Sequence, residues 1–220
     1  MIKFNNVSFG YAAGKFICKD LSLTIKDGEW LTVLGPNGSG KTTFAMLLNG
    51  LLLPQLGEVT VDDNNTKDVD GLNEVRKLVG FVFQNPDNQI VGATVEEDVA
   101  FGPCNLGLPR EEIIARVNRS LAILGLEDYR NHAPHMLSGG QKQKVALAGA
   151  LAMEPKYLVL DEACSMLDPK TRESLWHAVA KLHKELGITI ISISHFPEEA
   201  LLGTGIIILG DGGVEAYICQ

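Results

Sequence analysis

The chain has 220 residues, 45% of them hydrophobic, with 27 acidic against 19 basic side chains and a formal net charge of −8. Such a chain buries a substantial core in one large domain, or in one domain with an inserted subdomain, and is not disordered; the acidic balance, with no basic cluster longer than Lys142-Gln143-Lys144, argues against nucleic acid as the main partner. Cys18, Cys104, Cys164 and Cys219 lack C-x-x-C spacing and read as reduced cytosolic thiols, no run approaches the roughly 18 apolar residues that cross a bilayer, and Met1 to Gly10 holds no signal-peptide apolar region.

In chain order, Ile2 to Phe9, Leu21 to Ile25, Trp30 to Leu34 and Glu58 to Val61 read as short strands between glycine-containing turns, which makes the N-terminal third β-rich. Between the third strand and a helical run, Thr42 to Asn49, stands Gly35-Pro36-Asn37-Gly38-Ser39-Gly40-Lys41-Thr42, which fits the spacing G-x-x-x-x-G-K-[ST]. In that strand-to-helix context it is a phosphate-binding loop: glycines let successive backbone N–H groups curl inward as an anion nest, and the next helix adds the positive end of its dipole. Lys41 would reach the β and γ phosphates, Thr42 would ligate Mg²⁺ through its hydroxyl, and Thr43 could bond the α phosphate.

Asp62 to Gly71 is polar and is expected to be an exposed loop. Val79 to Phe83, Tyr157 to Leu160, Ile188 to Ile193 and Ile206 to Leu209 are continuous apolar runs, as in strands buried on both faces of a parallel sheet. From about Asn85 to Gly139 the pattern turns to helices without strands. Thr94-x-x-Glu97 predicts a capping box, and Pro109-Arg110-Glu111-Glu112 opens a helix with the stripe Ile113, Ile114, Val117, Leu121 and Leu124. Pro169 to Leu186 carries a second stripe at Leu175, Val179, Leu182 and Leu186, which should lie on the sheet. The expected fold is α/β, a P-loop NTPase core with a mostly parallel sheet, an N-terminal antiparallel β-subdomain and a helical subdomain inserted in the core.

Two further constellations carry chemistry. Leu137-Ser138-Gly139-Gly140-Gln141 precedes a helical run, Lys142 to Met153, and Ser138-x-x-Gln141 fits a capping box. On local physics this is either a plain helix start or a second anion site at a glycine-opened helix N-terminus. Tyr157-Leu158-Val159-Leu160-Asp161-Glu162 ends an apolar strand in two carboxylates, which must leave the core and meet a ligand or cation. Asp161 would hold the Mg²⁺ shell, and Glu162 would orient and polarise an attacking water as general base. Asp168-Pro169 is also what an N-cap with proline at the first helical position looks like. His132 and His135 lie three apart but have no third ligand at metal spacing.

Taken in order, these motifs resemble the ATP-binding-cassette (ABC) ATPases over nearly the whole chain. The Leu137 string looks like that family's signature motif, and Ser165-Met166-Leu167-Asp168 like its D-loop. The resemblance implies that Ser138, Gly139, Gly140 and Gln141 face the γ phosphate held by a second ATPase chain, head to tail. It makes Gln84, which follows the buried run Val79 to Phe83, a Mg²⁺ ligand and γ-phosphate sensor, against the alternative of a turn amide. It makes His195, after Ile190 to Ser194, the switch histidine that bonds the γ phosphate and orients Glu162. It makes Tyr11, before the glycine turn at Gly14, an aromatic that stacks on adenine, against an exposed turn tyrosine.

More narrowly, Phe83-Gln84-Asn85-Pro86-Asp87-Asn88-Gln89, Val91 to Glu96, Asp98 to Gly102 and Ser165 to Pro169 look like the ATPase subunits of energy-coupling-factor (ECF) importers of vitamins or of cobalt and nickel. That likeness implies ATP and Mg²⁺ as cofactors and a peripheral place on the cytoplasmic face of the cell membrane. The implied partners are a second cassette, homo- or heterodimeric, a membrane scaffold (T) component docked around Ile90 to Phe101, and a substrate-binding membrane (S) component. It divides the chain into an α/β core with β-subdomain at about 1–84 and 157–220 and a helical subdomain with the signature at about 85–156. Cys164, Phe196-Pro197 and Gly203-Thr204-Gly205 depart from the usual residues, without removing a group that touches phosphate. The chain stops at Gln220, where importer ATPases of this kind usually carry a further helical segment, so a short member or a truncation is expected. The rival reading is a non-transport ABC regulator associated with ribosomes or DNA repair, although the tandem cassettes and coiled-coil insertions usual there are absent. A P-loop GTPase would need an N-K-x-D motif, and none occurs.

Overall fold

A computed structural model describes residues 1–12, 15–210 and 213–219; the glycine turn expected at Gly14 lies outside them. Two sheets form. The first runs β2 (Cys18–Ile25), β1 (Ile2–Phe9), β4 (Leu56–Val61), β5 (Asn64–Asn65), antiparallel throughout. The second runs β10 (Gly213–Cys219), β9 (Gly205–Gly210), β3 (Trp30–Leu34), β8 (Thr189–Ile193), β7 (Tyr157–Asp161), β6 (Val79–Val82), and is parallel except where β10 turns back along β9.

The continuous apolar strands are explained by what covers them. Along β7, Tyr157 and Val159 face a core shared with α1 (Lys41–Leu48) and the antiparallel sheet, whereas Leu158 and Leu160 face a second core. That second core is made by α3 (Val95–Asn105), α4 (Arg110–Leu124), α5 (Gly139–Ala152) and α6 (Pro169–Leu186). Both faces of the sheet are therefore dry, and a period-2 polar alternation has no place to appear. Phe4 stacks on Phe44 at 5.1 Å between ring centres, fastening the antiparallel sheet to α1.

Several expectations need correction. Asp62 to Gly71 is not an open loop: β5 pairs back on β4, Thr66 is fully buried, and α2 (Val69–Leu78) begins inside the segment. Its composition hid it, since Val75 is its one buried residue. The stripe on α6 is Leu175, Trp176, Val179 and Leu182, with Leu186 60% exposed in the last turn, and Ile114 on α4 likewise faces out. Thr94 caps α3 by accepting from the Glu97 N–H at 3.2 Å, but among the described residues the Glu97 carboxylate makes no return bond, so half of the box forms. At Ser138 both halves form. Asp168 caps α6 through the Thr171 N–H at 3.1 Å, with Pro169 at the first helical position.

Candidate functional site

The C-terminal ends of β3, β6, β7 and β8 lie together in the parallel sheet, and the residues that follow them meet. After β3 the loop Gly35 to Gly40 turns into α1. Gly38 and Gly40 have φ of 82° and 92°, a region costly for any side chain, and a Cβ on Gly35 would stand 2.3 Å from the Leu209 carbonyl oxygen. No side chain caps α1 and no acid lies in its first turn, so the helix offers bare N–H groups at its tip. The Ser39 hydroxyl is buried in this loop without a hydrogen-bond partner. Lys41 is 5% exposed; its Nζ bends back to donate to the carbonyls of Gly35 at 2.9 Å and Pro36 at 3.1 Å, and lies 3.9 Å from Glu162 Oε1. A glycine-rich loop at an uncapped helix tip, a buried ammonium and an unmet hydroxyl together are suited to receive a polyanion.

β7 delivers the two acids. Asp161 is buried and accepts from the Thr42 hydroxyl at 3.3 Å. Burial pushes its carboxyl up to about 6; the Thr42 bond opposes this, the Glu162 charge adds to it and Lys41 opposes it. Glu162 is turned off the strand with φ of 48°, a left-handed conformation that a non-glycine residue holds only where its surroundings demand it. In return its carboxylate gathers three groups from distant parts of the chain. Gln84 Nε2 donates to Glu162 Oε2 at 3.0 Å and to the Ser165 hydroxyl at 3.2 Å, His195 Nδ1 is 3.7 Å from the same Oε2, and Lys41 approaches Oε1.

Around these groups opens a cleft of about 480 Å³ whose walls include Tyr11, Asn37, Lys41, Thr42, Gln84 and Glu162. Tyr11 is 64% exposed at its edge, packed edge-on against Phe9, with its hydroxyl 3.2 Å from Thr43 Oγ1. The Ser138 group stands apart. Ser138 accepts from the Gln141 N–H at 3.3 Å while the Gln141 amide oxygen accepts from the Ser138 N–H at 2.8 Å. Ser138 and Gly139 are exposed and Gly140 is half-buried, and none of them lines the Lys41 cleft. A Cβ on Gly140 would meet Thr171 Cγ2 at 2.6 Å, so α5 and α6 approach closely just behind this tip.

Sequence reasoning missed the residues that brace the site. Gln89 accepts from the Phe83 N–H at 3.1 Å and donates to the carbonyls of Phe81 and Ala146, and Gln143, 2% exposed on α5, donates to the Phe83 carbonyl at 2.9 Å. The two amides tie the end of β6, and with it Gln84, to α5. A glutamine in the apolar phase of α5 was the available signal. Asp98 holds the Val91 and Gly92 N–H groups at 2.7 and 2.9 Å, shaping the turn before α3.

Comparison with known proteins shows the family and the fold. The ABC transporter family profile matches residues 18–165. The energy-coupling factor transporter ATP-binding protein EcfA1 of Caldanaerobacter subterraneus subsp. tengcongensis is 50% identical over 218 residues, spanning 97% of this chain and 79% of that protein. The solved structure of cbiO1 from Clostridium perfringens, described as part of the ABC transporter complex cbiONQ, superposes with a TM-score of 0.89 at 37% identity, over 98% of this chain and 87% of that one. A dimeric ATP-binding cassette in a post-hydrolysis state with ADP and Pi superposes with a TM-score of 0.90 at 36% identity, over 100% of this chain and 98% of that one.

Proposed function

This chain belongs to the ABC transporter family of ATPases, and from that premise we propose that it is the ATP-hydrolysing subunit of an energy-coupling-factor importer, two cassettes closing head to tail over two ATP molecules. The observation that carries this reading is the split phosphate grip. Lys41 and the nest lie in one cleft, while the exposed Ser138 at the tip of α5 lines no part of that cleft and is open to a second chain. Lys41 and the loop amides neutralise the β and γ phosphates, Thr43 bonds the α phosphate and Tyr11 stacks on the base. Ser138 and Gly140 of the second cassette close on the γ phosphate, with Gly139 and Gln141 shaping the tip. Glu162 takes the proton of the attacking water, His195 bonds the γ phosphate and orients Glu162, and Gln84 leaves its bond to Glu162 when the phosphate arrives.

The donor set beside Thr42 suits a hard divalent cation: a hydroxyl, an amide and a buried carboxyl whose charged form such a cation would favour against burial. Thr42, Gln84 and Asp161 would hold Mg²⁺, which when bound would supply positive charge to offset that of the phosphates.

A groove of about 290 Å³ between β6, α3 and α5, with Phe81, Val91, Phe101 and Met153 on its walls, supports docking of a membrane scaffold (T) component, behind which an S component would select a vitamin or transition-metal ion. The exposed Val91 and Phe101 at its rim are suited to an apolar helix. Docking on those membrane components would place the chain peripherally, on the cytoplasmic face; no helix among the described residues is long and apolar enough to cross a membrane. Within this reading residues 85–156 act as the helical subdomain and 1–84 with 157–220 as the α/β core; the second cassette is a copy or a paralogue.

The test is direct. Glu162→Gln should bind ATP, lose turnover by a factor on the order of 10² to 10³, and accumulate ATP-dependent dimers on size exclusion. Adding Ser138→Arg should abolish those dimers while ATP binding by the single chain persists. Near-normal hydrolysis by the first variant refutes the base assignment, and dimers that survive the second refute the shared grip.

A further inference from the structure

The general base and its histidine are both tied to one short segment. On one side Gln84 reaches Glu162 while also donating to Ser165 at 3.2 Å. On the other side, the His195 ring packs on Phe196 with ring centres 4.1 Å apart, and the Arg172 guanidinium lies over the Phe196 ring at 4.0 Å. Arg172 then donates through Nη2 to the Leu167 carbonyl at 3.3 Å, and its Nε is buried without a hydrogen-bond partner. A guanidinium left with an unmet donor is held by the flat face it covers, and a planar ring is what both it and the imidazole can stack on. Phe196 is itself anchored: its N–H donates to the Ser194 hydroxyl at 2.9 Å and its carbonyl accepts from the Glu199 N–H at 3.1 Å.

We propose that Phe196 is a positioning residue for His195, and that Arg172, gripping both the Phe196 ring and the Leu167 carbonyl, makes the place of His195 depend on the segment Ser165 to Asp168. This rests on the role given to His195 above. His195 is 42% exposed by side chain and stands 3.7 Å from Glu162, too far for a bond, so its ring needs an external support to be held in register. The stack provides that support on a surface otherwise open to solvent. Movement of the segment Ser165 to Asp168 would pass through Leu167 and Arg172 to the histidine, and through Ser165 to Gln84, reaching the same carboxylate by two routes.

The experiment is steady-state ATP turnover by the full chain with ATP and Mg²⁺. Phe196→Ala and Phe196→Leu should each lower kcat about tenfold with the KM for ATP changed less than about twofold, because misplacing a reacting group penalises chemistry more than binding. Phe196→Tyr, which keeps the flat ring, should restore kcat, and Arg172→Lys, which keeps the charge but loses the planar fork, should reproduce the loss. Full turnover by the leucine variant, or a raised KM at unchanged kcat, would overturn the positioning role. His195→Ala separates the two levels of the argument. If it too turns over normally, the role of His195 fails and the proposal with it; if it is inactive beside a fully active Phe196→Leu, the positioning alone is wrong.

Discussion

At the scale of single residues, the site is a set of conformations that only particular side chains tolerate. Gly35 is the clearest, because the obstacle to a Cβ there is the backbone oxygen of Leu209 at 2.3 Å, which cannot swing away as a flexible side chain would. Gly35→Ala should destabilise the fold by about 1–3 kcal/mol, as overpacking in a tight core does, and calorimetry should show a lowered midpoint together with weakened ATP binding. An unchanged midpoint would mean that β9 gives way more easily than its pairing with β3 suggests. The glycines of this loop were legible in the sequence from their spacing, although what a Cβ on Gly35 would strike, Leu209, lies far along the chain. The left-handed turn at Glu162 was not, since nothing near it in sequence distinguishes it from an ordinary strand end.

At the scale of elements, the apolar stripe on α6 was read in the right phase but one turn too long, while that on α4 took in the outward-facing Ile114. Leu175 on α6 is fully buried, whereas Leu186 is 60% exposed although it falls on the same period. Leu175→Ala should cost about 2–5 kcal/mol, and Leu186→Ala should stay within about 0.5 kcal/mol of the parent, as read from urea denaturation midpoints. Equal effects would place the helix in a different rotation against the sheet. Helix α2 went unseen because five of its residues, Asp70, Asn73, Glu74, Arg76 and Lys77, are polar and Val75 alone is buried. Such a helix forms because the chain after it must enter β6, and its own periodicity carries little of that information.

At the scale of the whole molecule, a polar clasp joins the two sheets where the antiparallel sheet meets the start of β7. The Met1 ammonium lies 2.6 Å from Asp27 and 2.5 Å from Asp62, Lys156 lies 2.9 and 2.7 Å from the same two acids, and the buried Tyr157 hydroxyl sits 2.7 Å from each. That hydroxyl has one proton, so it serves the two carboxylates alternately. Partial burial tends to raise the Asp62 carboxyl, but Lys156, the Met1 ammonium and Tyr157 outweigh it and hold the group below its usual range; Asp27 is depressed in the same way. A depressed folded value gives stability that is present above the unfolded value near about pH 4 and is lost as pH falls through the folded one. Tyr157→Phe should therefore lower unfolding free energy by about 1–2 kcal/mol at neutral pH, the gap to the parent narrowing as denaturation is followed below about pH 4. A gap that persists undiminished in acid would assign the loss to packing instead.

The sequence by itself determined what depends on near neighbours: the nest at Gly35 to Lys41, the cap at Ser138, the paired acids at the end of an apolar strand, the proline-started helix at Asp168. Each is marked by residue types within a few positions of one another, so a linear reading captures it. Tertiary structure alone decided what converges. Glu162 meets Lys41, Gln84 and His195 because parallel strands end at one edge of the sheet, and the Ser138 tip stays out of that cleft because α5 points it elsewhere. Which leucine of a stripe is dry, and which arginine closes on which ring, are likewise settled only when distant segments pack, because burial belongs to the assembled surface and not to any short stretch of chain.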